Sequence, residues 1–202
     1  MIGANSNIRV TITQGPIARK NGLRVAATTS PTSLNNYLIT LNDTTLSGNE
    51  RVLDLAIARN IMHEMLHAYM FDWADSHGFP TNAGLEAAMQ KWFQYNQYFT
   101  NADQHAAMTN MVTFMGESLS SYYYSTFNTN NRSFPISDIP INSRYFEDLC
   151  WQGLPKTGLS PADMLRIGIV IKVENERFNG PINLAQGQNP INVAPAGKDI
   201  CQ

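Results

Sequence analysis

His63-Glu64-Met65-Leu66-His67 is an HExxH pentad, and its residue types belong to metal-assisted hydrolysis. On a helix, positions four apart lie one turn above each other, so the imidazoles of His63 and His67 can converge on a single ion. Glu64, one position on, then stands beside the open coordination place, where a carboxylate takes a proton from a water the metal activates. The plainer reading makes these residues two core histidines and a buried or capping glutamate. It is costly, because three polar groups would sit on an apolar face without partners.

A catalytic zinc takes three protein ligands and leaves a fourth place for water. The position six residues after His67 is Trp73, which excludes the pattern with a third histidine there. Three candidates remain open. His105, 38 residues after His67, begins a long apolar-striped segment that antiparallel packing would bring opposite the pentad, and it is favoured. Glu86, 19 residues after His67, has the spacing of the glutamate ligand of thermolysin-like enzymes but lacks their preceding asparagine. His77, in Ser76-His77-Gly78, falls in a turn directly after the pentad's helix. A second donor to a developing oxyanion could come from Tyr122, Tyr123, Tyr124 or Tyr145, each with packing as its simpler role. Asp72, Asp75, Asp103 and Glu117 are the carboxylates available to orient the ligand imidazoles.

The elements that must position these groups follow from periodicity. Val52, Leu55, Ala56, Arg59, Met62, His63, Leu66 and Met70 recur at spacings of three and four, which predicts a helix from about residue 50 to 75, with Ser47 or Asn49 as N-cap. Before it, Ile8–Ile12, Leu23–Ala27 and Tyr37–Leu41 read as short strands between Gly, Pro and Asn punctuation. On the layout general to zincins, which the pentad resembles, Tyr37–Leu41 is the candidate edge strand for an extended peptide. Beyond Pro80, helices are expected over Leu85–Tyr95, Ala102–Tyr123, Arg144–Trp151 and Pro161–Arg177. Ser160 is the N-cap of the last and Pro161 its first helical residue. Ile167–Val173 has a strand as its alternative. Asn128–Pro140 and the tail from Asn179 to Gln202 read as irregular. The fold class is α+β in one domain: a small N-terminal sheet over residues 1–48, packed on the pentad's helix, then a mainly helical part over 50–178.

Composition narrows the function classes. The 202 residues are 43% apolar and 15% charged, which suits a globular domain and not a disordered chain. A net charge of −2 without a dense basic cluster offers no footprint for nucleic acid. The longest strongly apolar run, Ile167–Ile171, is far too short to span a bilayer. Met1–Asn7 lacks the basic start and apolar core of a secretory signal. With 21 asparagines and low charge density, the expectation is an exported protein whose targeting segment lies outside this chain, an internal one being the alternative. Cys150 and Cys201 are too few for a disulfide framework, but one bridge between them would pin the tail.

His63 to Tyr69, His-Glu-Met-Leu-His-Ala-Tyr, resembles the active-site helix of SprT-like and Spartan-type zinc proteases. More broadly, Gln104-His105-Ala106-Ala107-Met108 followed by Tyr145 to Leu154 resembles a group of zincin-like metallopeptidases from Bacteroidetes-type bacteria. The resemblance covers about Arg51 to Arg177. It implies a zincin-like fold, His63, His67 and His105 as ligands of Zn2+, and Glu64 as the catalytic carboxylate. The four-cysteine ribbon and basic segment of crosslink-repair proteases are absent, so the resemblance bears on chemistry and not on substrate. The expected function is a zinc-dependent metallopeptidase acting on protein or peptide. Hydrolysis of a non-peptide amide, such as a cell-wall crosslink, and a non-catalytic module keeping the fold are the alternatives.

Overall fold

The structure, a computed structural model, describes residues 8–20, 22, 24–46, 52–79, 85–97, 101–127, 137–154, 156, 158–184 and 189–198, and for residues 85–86, 101–108 and 127 it describes the backbone alone. The chain divides into two compact units: Met1–Arg51 with Asn60–Gln104, and Val52–Arg59 with His105–Gln202. Among the described residues no helix is long and apolar enough to cross a membrane.

The first unit opens with a three-stranded mixed sheet of β1 (Arg9–Gly15), β2 (Ala27–Ser33) and β3 (Asn36–Asn42) in the order β1-β3-β2. β3 is therefore the central strand, parallel to β1 and antiparallel to β2. This corrects the expectation that Tyr37–Leu41 is an edge, since both of its sides are already paired. The second strand also lies later than Leu23–Ala27. Its Thr28-Thr29-Ser30-Pro31-Thr32-Ser33 reads as a turn, but β2 is a true edge, where a proline without an N–H can sit facing away from the ladder. Leu34 and Asn35 join β2 to β3, with Asn35 at φ 58°, a left-handed conformation that asparagine tolerates.

Alternation along β3 buries Tyr37, Ile39 and Leu41. A short helix α1 (Asp43–Leu46) follows, and then α2 (Asp54–Ser76), which carries the pentad. Tyr37 packs with Ala68, Phe71 and Ala74 of α2 and Ala88 of α3 (Leu85–Tyr95). Residues 68, 71 and 74, three apart, form the stripe by which the sheet seats on α2. α2 starts later than residue 50, and Ser47 and Asn49 lie outside the described residues. It ends in a Schellman motif: Phe79 N–H donates to Ala74 O at 2.8 Å, Gly78 N–H to Asp75 O at 3.0 Å, and Gly78 takes φ 73°.

The second unit contains most of α4 (Asn101–Phe127), then α5 (Ser143–Cys150), α6 (Pro161–Asn175), β4 (Gly180–Ile182) and β5 (Ile191–Val193). Ser160 caps α6 by accepting from Asp163 N–H, with Pro161 in its first turn, as expected. Ile167–Val173 is helix and not strand. The tail is not wholly irregular, because β4 and β5 pair antiparallel. Their Ile182, Ile191 and Val193 pack with Ile169 and Val173 of α6; strands of three residues are too short to show a period in sequence. Cys150 is a buried free thiol, and Cys201 lies outside the described residues.

Candidate metal centre

α2 places His63 and His67 one turn apart, with ring centroids separated by 4.4 Å at an interplanar angle of 62°. With Glu64 they form a group whose candidate ligand atoms all lie within 4.8 Å of one another. Glu64 is buried and His67 nearly so, the side chains being 7% and 18% exposed. Glu64 Oε2 lies 3.2 Å from His67 Nδ1. Burial pushes the Glu64 carboxyl up. Hydrogen bonds from His67 and Thr29, with the charge of the imidazoles, outweigh it and hold the carboxyl below its ordinary value.

Thr29, on β2, is the group that sequence reasoning missed. Its hydroxyl lies 2.7 Å from Glu64 Oε2 and 2.9 Å from the Glu64 backbone oxygen, so it is shared between them. Nothing in a threonine within Thr-Thr-Ser-Pro marks it as part of a site; only the strand register does.

The donor set suits a metal ion. His67 Nε2 is buried with no hydrogen-bond partner among the described residues. A buried nitrogen left that way costs about 1–3 kcal/mol, a cost that coordination would remove. Two imidazoles and a carboxylate match the ligand chemistry of zinc and of other first-row divalent ions.

Of the remaining candidates, His77 falls elsewhere. His77 directly follows α2, its Nδ1 2.8 Å from Trp73 O and its ring stacked on Trp73 at 4.5 Å, and it is not part of the His63–Glu64–His67 group. The side chains of Glu86, Asp103 and His105 lie outside the described residues. Asp72 takes the Tyr37 hydroxyl as a hydrogen-bond donor. Burial and neighbouring Asp75 raise its carboxyl above the ordinary value. Burial, with the charges of Asp72 and Asp75, likewise raises the Tyr37 phenol. In the second unit, Glu117 is exposed, Tyr145 donates to Glu174 at 2.6 Å, Tyr122 to Asp54 at 3.4 Å and Tyr124 to Ile141 O at 3.5 Å, while Tyr123 is buried.

The chain matches no protein-family model, no curated protein and no solved structure.

Proposed function

We propose that this protein is a zinc-dependent hydrolase of the metallopeptidase type, with His63 and His67 as two ligands, His105 as the third and Glu64 as the general base. The observation that carries the reading is the His63–Glu64–His67 group on α2, in which the buried Nε2 of His67 has no hydrogen-bond partner among the described residues. A zinc ion bound there would supply Lewis-acid polarisation of a scissile carbonyl and a water acidified to a pKa of about 7.

The chain's own residues account for the rest. Glu64 Oε2 is engaged by Thr29 and by His67, whereas Oε1 takes no hydrogen bond among the described residues and is the oxygen available to a water. A carboxylate held below its ordinary pKa is ionised at neutral pH, the state a base needs. Oε1 accepts the proton and afterwards releases it to the leaving nitrogen.

Elemental analysis of the wild type and of Glu64→Gln, paired with cleavage of casein, tests the proposal. About one zinc in both with cleavage by the wild type alone supports it. About one zinc in both with no cleavage keeps the site and directs the search to narrow peptide or non-peptide substrates. No metal in either removes the enzyme and leaves a binding module.

A further inference from the structure

Thr29 stands where the sheet meets the pentad, and its inferred role rests on the hydrolase reading above. In the β2–β3 pairing, Ala27, Thr29 and Pro31 lie opposite Leu41, Ile39 and Tyr37. Directly opposed residues share a face, so these three belong to the row that includes the α2-packed Tyr37. Thr29 alone in that part of β2's row carries a hydroxyl. A slip of one residue would turn it to the other face.

Glu64 needs such a partner. Its side chain has three rotatable bonds, and its carboxylate lies close enough to the histidine nitrogens to join a metal as a ligand itself. A ligand cannot serve as the base, so the two roles exclude each other. The Thr29 hydroxyl meets both the backbone oxygen and Oε2 of Glu64, which ties the end of the side chain to its own turn of helix. We infer that Thr29 is a positioning residue: by holding Oε2 it keeps Glu64 off the metal and leaves Oε1 free to act as base. It acts through Glu64 and touches no substrate.

Thr29→Val keeps the volume and removes the hydroxyl, Thr29→Ser restores the hydroxyl without the methyl, and both are made with and without Glu64→Gln. The readouts are metal content, the visible absorption of the Co2+-loaded proteins, and kcat and KM on casein-derived peptides. The expectation is about one metal in every protein, a changed Co2+ spectrum in Thr29→Val as Glu64 enters coordination, and the wild-type spectrum in Thr29→Ser. In the Glu64→Gln background Thr29→Val should change nothing further, since the coupling is lost with its partner. kcat should fall about tenfold to a hundredfold in Thr29→Val with KM little changed, and recover in Thr29→Ser. A wild-type spectrum in Thr29→Val, an effect that persists undiminished in Glu64→Gln, or a serine as poor as the valine each overturns the inference while the hydrolase reading stands. A wild type that binds no metal overturns both, and if no peptide is cleaved the Co2+ spectra decide the matter alone.

Discussion

The Tyr145 hydroxyl donates to Oε1 of Glu174 across 2.6 Å inside the second unit, and the same oxygen receives the N–H of Ala196 at 2.7 Å. Gly197 N–H adds contacts of 3.1 and 3.2 Å to the two carboxylate oxygens. Glu174 is fully buried. Burial raises its carboxyl above the ordinary value, and nearby Asp54 adds to the rise, while the three donors work against it.

Because the Glu174 pKa is raised on folding, the native state holds this proton more tightly than the unfolded chain. Its contribution to stability is full below the unfolded value of about 4.3 and is lost as pH rises through the folded value. Urea unfolding at a series of pH values should show the wild type losing stability over that rise relative to Glu174→Gln, which cannot ionise. A difference between the two that does not vary with pH contradicts this. Glu174→Ala, which leaves the donors unmatched, should cost about 1–3 kcal/mol at low pH, where the contribution of Glu174 is full.

Two helical glycines should respond oppositely to alanine. A Cβ on Gly116 of α4 would stand 2.9 Å from the backbone nitrogen and 3.0 Å from the Cα of Glu147 on α5, which cannot yield cheaply. Gly116→Ala should therefore cost about 1–3 kcal/mol. Gly168 of α6 has nothing within 4 Å of the added carbon, and Gly168→Ala should gain about 0.5–1 kcal/mol from helix propensity. The shift in urea midpoint measures both.

The ligand assignment separates three variants by metal content. His105→Ala should abolish stoichiometric zinc, while Glu86→Ala and His77→Ala retain it. His77→Ala should still lower the melting temperature, because the ring covers Trp73 and meets Tyr95 at 4.7 Å. Zinc retained by His105→Ala would move the third ligand to another residue.

The Cys150 thiol is fully buried, and burial pushes its pKa up to about 12. The thiolate is the reactive form, so iodoacetamide at pH 8 should leave Cys150 unlabelled in the native protein and modify it in urea. Peptide mapping by mass spectrometry reads this directly, and labelling of native Cys150 would show that its pocket opens.

What could be read in advance depended on how local the cause was. The pentad and the stripe around it define α2 within one segment, and Leu85–Tyr95 and the Ser160-Pro161 start of α6 are equally local signals. Pro31 argues against a strand at β2 unless the strand is an edge, a fact of pairing and not of composition. The central place of β3 likewise follows from pairing, and its run of buried alternate residues suits a centre. Thr29 could not be found at all, since its value comes from lying opposite Ile39 in register. The tyrosines offered for an oxyanion are bound up with Glu174, Asp54 and packing in the second unit, partners that lie 29 and 68 positions away in the chain for Tyr145 and Tyr122.

The order of synthesis gives the Ala196–Lys198 segment a further meaning. Asp54 Oδ1 accepts from Lys198 N–H at 2.7 Å across 144 positions, and Glu174 draws two of its donors from the same stretch. As the chain leaves the ribosome, every residue of the first unit has been made by Gln104. The second unit still lacks the amides that receive its two acidic side chains. A nascent chain halted before Ala196 would thus leave Asp54 and Glu174 of the second unit without these backbone donors, so residues 196–198 act as the latch of that unit.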